Sequence, residues 1–484
     1  MHTIHLYILD FDGGENVKHA ARIIFIAACL LMCLIPFGGM LICPTNTSTE
    51  NRELARFPQI QEHGTWNFDY LQELAAYFED HFAFRQELVS TDAMIQSKVF
   101  GVSNVDTVVV GENDWLYYTA SVDDYLGWNL LSERGVLNIA HNLSLVQRYV
   151  QQQGASFVFT IAPNKNSLYG ENMPYYFQKK TGKAGHVELL EPQLARYDLS
   201  YVDLFSLFQE QEEILYLKRD SHWNQKGALM VSDALLDRLG MEHDNYEAVK
   251  ALRLKDAYGD LNKMLYPLTA KPEWNYHYQK KDNYQTDAQN VEQAWIETTN
   301  LEGKGTLLMF RDSFGNTLLP AMANACRKGY FSRGVPEKIT EYMETCKPKA
   351  VILEKVERNI REYAENPPLM AGLEIELEQE AKIIASNTSL KMEESIHDVN
   401  YWKISGVLDR PFCTEDAQVY VKVKDGQQKI YEAFFVTTDQ SDYGYQLYLL
   451  KDRMQSDTVE LEIIVESAGV LKTVQSAKIN TRTL

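Results

Sequence analysis

Cysteine is scarce: six in 484 residues, none in the C-x-x-C spacing of a zinc site, so a metal-stapled or disulfide-stapled small fold is excluded. Cys29, Cys33 and Cys43 lie in or at the end of one apolar stretch, and the three that remain, Cys326, Cys346 and Cys413, allow at most one disulfide (Cys326 with Cys346) or three free thiols. Basic residues are also in deficit, 47 Lys and Arg against 67 Asp and Glu, and a net charge of -20 repels a phosphate backbone. Nucleic acid is not an expected partner. No low-complexity tract and no repeat of solenoid period is present. With 24% charged and 45% hydrophobic residues the composition is that of folded protein, enough for about three domains.

From Ile23 to Cys43 no residue is charged and the polar face of a buried helix is missing. The length spans a ~30 Å hydrocarbon layer, so an uncleaved single-pass anchor is expected, with a cleaved signal peptide as the rival. Lys18 and Arg22 precede the stretch and the next basic residue is Arg52, which puts residues 1–22 in the cytoplasm and the rest outside the cell membrane. Residues 44–104 read as a polar linker, Pro44 to Thr49, and a helical lead-in with apolar positions at helical spacing over Leu71–Leu88. Residues 105–386 alternate helix and strand, the pattern of an α/β domain with a mainly parallel sheet. A hairpin over Thr107–Tyr118 opens it; buried strands come next at Phe157–Ala162, Thr306–Phe310 and Ala350–Leu353, with helices at Leu137–Gln153 and Gln225–Gly240. Residues 387–484 change to alternating runs such as Val459–Val465, expected to form a small antiparallel β-sandwich. A carbohydrate-binding module there would expose coplanar aromatics; a spacer would not.

Chemistry concentrates at two places. In Arg219-Asp220-Ser221-His222-Trp223-Asn224, a carboxylate two residues from an imidazole can orient the ring and stabilise its protonated form, as a general base requires. The competing reading is a capped helix start at Asn224. In Leu307 to Asn316 an apolar strand delivers Ser313 just before a helical pattern, exposing a nucleophilic hydroxyl at the sheet edge and setting the N–H groups of Ser313 and Gly315 at a helix N-terminus. Here the competing reading is a serine serving only as a cap. Asn164 and Lys165 come after a buried strand at the edge where α/β sites form, and read either as structural turn residues or as an oxyanion donor and a contact for an acidic substrate. Trp223 suits a sugar face or the core. Arg311 suits a partner for Asp312 or for a carboxylated glycan, and Glu357 with Arg358 reads as an ion pair.

These motifs and their surroundings resemble the DHHW family, related to the alginate O-acetyltransferases and more distantly to the SGNH hydrolases. The likeness runs through Glu50–Leu54, Phe78–Phe82 with Arg85, Val110–Tyr117, Ala162–Lys165 with Tyr169 and Pro174, Asp220–Trp223, Tyr258–Leu261, Arg311–Phe314 and Val356–Arg358. The resemblance implies an SGNH hydrolase-like fold and a triad of Ser313 as nucleophile, His222 as base and Asp220 as acid, with no cofactor and no metal. It also implies acetylation of an extracytoplasmic bacterial polysaccharide, the acetyl group being supplied by a polytopic membrane-bound O-acyltransferase. The second letter of the naming motif is here Ser221 in place of histidine, and His222 precedes Ser313, an order shared with the alginate enzymes. Three other readings stand beside it: a carbohydrate acetyl esterase of the same fold, a metal site begun by Asp220 and His222, and a non-catalytic glycan-binding scaffold whose triad is unaligned, with Ser313 more than ~7 Å from the imidazole.

Overall fold

The computed structural model describes residues 15–40, 54–62, 65–178, 185–246, 249–278 and 282–483. The expected linker Pro44–Thr49, the end of the apolar stretch at Leu41–Cys43, the stretch Glu50–Glu53 and the first fourteen residues lie outside them. The chain divides into two compact units, Met1–Val108 with Asp260–Lys271, and Val109–Gly259 with Pro272–Leu484.

In the first unit, helix α1 (Glu15–Met40) contains His19–Met40, the one helix among the described residues long and apolar enough to cross a membrane. By length and composition it serves equally as a single-pass anchor or as a signal sequence. The helix expected over Leu71–Leu88 is two, α2 (Tyr70–His81) and α3 (Arg85–Ile95). Phe84 breaks the run by adopting a left-handed conformation, φ 60°, which stops helix propagation.

The second unit centres on a six-stranded sheet of β1 (Ser156–Ala162), β2 (Tyr201–Val202), β3 (Trp295–Thr299), β4 (Thr306–Phe310), β5 (Lys328–Ser332) and β6 (Ala350–Val356), in the order β2-β1-β6-β4-β5-β3. All neighbours are parallel except β3, an antiparallel edge. Its central strands are buried almost end to end, β6 along its whole length and β1 and β4 at all but their first residue, because both faces are covered. Phe157, Phe159, Leu308, Phe310, Val351 and Leu353 face helix α4 (Glu133–Gln152), whereas Val158, Leu307, Met309 and Ile352 face α5 (Gln225–Arg238) and α6 (Leu319–Ala325). The period-two alternation of the strands sorts the two cores. Asn224 caps α5 by accepting the Gly227 N–H at 2.9 Å, as its position in the sequence predicts.

The β-rich C-terminal region has a six-stranded and a four-stranded sheet, and its first strand is Leu373–Ile375, fourteen residues before the boundary expected at 387. Two- and three-residue strands such as this carry too little alternation to be read in a sequence. Among the described residues of 387–484 the aromatic side chains are buried or half-buried, with Trp402, Phe412 and Tyr431 half-buried. The region docks on α4 through buried polar contacts. Asn142 donates to the Tyr363 and Phe435 carbonyls (2.7 and 2.8 Å) and accepts the Phe435 N–H (2.8 Å). Arg134 donates to the Ala417 carbonyl at 3.1 Å and lies 4.0 Å from the Phe435 ring centroid. Cys326, Cys346 and Cys413 are all free thiols, and burial pushes that of Cys326 up to about 12.

His141 of α4 stacks on Phe435 (3.8 Å) and bonds the Ala433 carbonyl through Nε2. Burial, with the neighbouring Arg134 and Arg148, pulls its pKa down to about 3 although the Ala433 carbonyl opposes the shift. The folded state therefore binds one proton fewer than the unfolded chain between about pH 3 and 6.5, and stability falls as pH falls through that window, by about 2 kcal/mol from this residue alone at pH 5. Denaturant melts at pH 7.5 and 5 should show that loss, and His141→Gln should flatten it.

Candidate functional site

The C-terminal ends of β1, β4 and β6 carry Asn164–Lys165, Arg311–Ser313 and Glu357–Arg358 to one edge of the sheet. Ser313 sits in the turn that leaves β4. The turn is stapled by Asp312, whose carboxylate oxygens accept the Phe314 N–H (2.8 Å) and the Val356 N–H (2.7 Å). The carboxyl of Glu354 accepts the Asp312 N–H at 3.0 Å. Burial, and next the charge of Asp312, drive Glu354 well above the usual carboxylate range. A Cβ on Gly315 would come within 2.6 Å of Arg311 Cβ and 3.0 Å of Glu354 Oε2, so this glycine lets the turn lie flat on the sheet end.

Ser313 leads into a single 3-10 turn, Phe314–Asn316, and the α-helix begins only at Leu319. Ser313 and Gly315 therefore do not stand at an α-helix N-terminus as expected, because the Asp312 staple fixes the turn in a tighter conformation. The hydroxyl of Ser313 makes no capping bond. It lies 2.9 Å from His222 Nε2. Asp220 Oδ1 lies 2.7 Å from His222 Nδ1 and also accepts the His222 backbone N–H at 2.9 Å. As an ionised acceptor, Asp220 selects the tautomer with the proton on Nδ1, leaving Nε2 to receive the serine proton. The Ser221 hydroxyl is 3.2 Å from the same Nδ1. The imidazole packs on the buried Phe314 ring, 4.7 Å between centroids. The separation expected of an unaligned scaffold is not seen.

Four other residues singled out in the sequence are buried. Trp223 is 1% exposed; it packs edge-on to Phe314 and donates to Thr317 Oγ1 (2.6 Å), so it belongs to the core beneath the site and offers no sugar face. Lys165 is 4% exposed, and its ammonium donates to the Leu217, Lys218 and Asp220 carbonyls at 3.2, 2.9 and 2.5 Å, in place of an acidic substrate. Asn164 is likewise buried, donating to Asp124 (3.0 Å) and accepting from Arg358 (3.3 Å), which engages the amide expected to meet an oxyanion. Arg311 is buried too. Its guanidinium bonds Asn316 and the Val291 carbonyl rather than Asp312 or a glycan, and desolvation pulls its pKa down to about 10.

Arg358 is not the partner of Glu357. Its guanidinium lies 5.1 Å from the Tyr118 ring centroid and 5.8 Å from that of Phe314, the ring on which His222 rests. Glu357 instead accepts the Asn164 N–H (2.7 Å) and the Ser167 hydroxyl (2.9 Å), and burial followed by the charge of Asp124 raises it well above its ordinary range. The neighbouring positions in the sequence suggested a pair that the divergent turn at the end of β6 does not allow.

Residues 108–304 match the family described as the SGNH hydrolase-like domain of the acetyltransferase AlgX. Among solved structures the chain is similar to a DHHW family protein from Eubacterium siraeum, at 13% identity over 48% of this chain and 90% of that one, TM-score 0.38. It is also similar to PatB1 of Bacillus cereus (14% identity, 52% and 96% covered, TM-score 0.42) and to the O-acetyltransferase domain of Pseudomonas putida AlgJ (19%, 52% and 92%, TM-score 0.37). No curated protein matches the chain.

Proposed function

With an SGNH hydrolase-like domain of the AlgX acetyltransferase family over residues 108–304 as the premise, we propose that the chain is an O-acetyltransferase working through an acetyl-serine on Ser313. The observation that carries this reading is the unbroken relay from Asp220 through His222 to a serine hydroxyl that has no capping role. His222 Nε2 takes the Ser313 proton as Oγ bonds to the acetyl carbon; the tetrahedral intermediate collapses, and the donor's leaving oxygen departs with that proton. A sugar hydroxyl then gives its proton to Nε2 and attacks the acetyl carbon, and Ser313 Oγ leaves, recovering the proton. Asp220 stays ionised and holds the imidazolium in each half-reaction.

The acceptor in this proposal is an extracytoplasmic bacterial polysaccharide, the chain is held at the cell membrane by α1 with its catalytic domain outside, and a polytopic membrane O-acyltransferase supplies acetyl groups. The apolar helix and the family of the domain support this placement. The test is mass spectrometry of the purified full chain in detergent after incubation with an activated acetyl ester. One added acetyl group is expected, on the peptide containing Ser313, and adding the acceptor glycan should discharge it to the sugar faster than to water. Turnover without any adduct would remove the covalent mechanism.

A further inference from the structure

The segment that carries Asp220 and His222 is a hairpin tip. Tyr216 pairs with Trp223, the Asn224 N–H bonds the Leu215 carbonyl at 2.7 Å, the Leu217 N–H bonds the His222 carbonyl at 3.3 Å, and residues 218–221 project beyond that pairing. Such a tip has unpaired backbone groups on both sides. On one side its carbonyls at Leu217, Lys218 and Asp220 converge on the single ammonium of Lys165, whose three donors they match. On the other side its N–H groups at Lys218 and Arg219 converge on one carboxylate, Glu273, at 2.7 and 3.0 Å. Glu273 opens the strand Glu273–Tyr278, which pairs with Ala251–Ala257 in a two-stranded ribbon. At the end of that ribbon Gly259 presses on the same tip, where a Cβ would lie 2.1 Å from the Arg219 carbonyl oxygen. The tip is therefore held by a cation through its carbonyls, by a carboxylate through its amides, by the bare backbone of Gly259, and by the Leu116 N–H, which also donates to the Lys218 carbonyl at 2.9 Å. Neither charged side chain reaches Ser313 or His222 in any of these contacts.

We propose that Lys165 and Glu273 are positioning residues which fix the 217–220 backbone from its two sides and thereby set the Asp220–His222 hydrogen bond and the basicity of His222. The Asp220 carboxylate stabilises the imidazolium only while Oδ1 stays in line with Nδ1–H, 2.7 Å away. Removing either grip lets the tip rotate, weakens that bond and lowers the pKa of His222. For its kinetic part the inference rests on the acetyltransferase reading; for its titration part it does not.

The experiment uses the full chain in detergent and the variants Lys165→Met, Lys165→Arg and Glu273→Gln. Each is read by its thermal midpoint, by the NMR titration of the His222 ring (identified by its loss in His222→Gln) and by the pH profile of acetyl-ester turnover. Lys165→Met and Glu273→Gln should lower kcat by about 10- to 100-fold with KM within about twofold, and should move the acid limb and the His222 titration together to lower pH. Lys165→Arg, which keeps the charge and the donors, should recover part of both. Where Lys165→Met fails to fold, the nearly isosteric Glu273→Gln decides. An unshifted His222 titration in folded Glu273→Gln overturns the proposal. A shifted titration in a chain that turns over no ester overturns the enzymatic reading and leaves the clamp standing.

Discussion

Ser313→Ala and His222→Ala should each lower turnover of an activated acetyl ester by ~10⁴-fold or more, and the double variant should be scarcely worse than either, because serine and base act as one unit. In the proposed mechanism the 2.9 Å bond between His222 Nε2 and Ser313 Oγ is the path of the serine proton, so losing either end removes the whole step. Asp220→Asn should cost about 10³- to 10⁴-fold, since an amide does not hold the imidazolium and lets the ring adopt either tautomer. Ser221→Ala should keep most activity, its hydroxyl being a second and longer contact to an Nδ1 that Asp220 already engages. Steady-state rates on 4-nitrophenyl acetate with and without a chelator check the set. A chelator-sensitive enzyme with full turnover in Ser313→Ala would favour the metal reading of Asp220 and His222.

The second large effect concerns the C-terminal sheets. A chain cut before Leu373 should lose its cooperative thermal transition and aggregate, where a detachable module would leave a folded catalytic piece. Leu137 of α4 lies in the core of the C-terminal sheets while Phe434 from those sheets lies in the core of the α/β layer, so neither core closes without the other. The cut also strips partners from Arg134, Asn138, His141 and Asn142. A single substitution measures the same interface more gently. Asn142→Leu leaves the Phe435 N–H and carbonyl unpaired in the interior, at about 1–3 kcal/mol for each orphaned group, a large part of a typical ~5–15 kcal/mol stability. Chemical denaturation of the full chain should show the midpoint fall accordingly.

The sequence exposes whatever is local and hides whatever is tertiary. Asp220, His222 and the strand-to-turn setting of Ser313 are legible because each is a short pattern beside an apolar run, and the capped start of α5 is legible for the same reason. Lys165 and Asn164 are found at the correct edge, but their roles depend on burial by segments far away in the chain, as the 40-residue gap from Asn164 to Asp124 and the 55-residue gap from Lys165 to Asp220 illustrate. Glu273 belongs to no motif at all. The docking face of α4 is the clearest concealment. Arg134, Asn138, His141 and Asn142 recur at helical spacing as a polar stripe, which by composition is a solvated face, yet all four are buried against carbonyls and rings from residues beyond 360.

The two-residue spacing of Asp220 and His222 has an evolutionary consequence. Because Asp220 Oδ1 receives both the ring Nδ1–H and the backbone N–H of His222, acid and base form a cassette whose internal geometry is written by three consecutive residues. A chain that keeps the cassette has few long-range relations left to hold: the distance from the imidazole to Ser313, and the grips of Lys165 and Glu273 on the tip. Chains with little overall identity can then share the same local arrangement of carboxylate and imidazole.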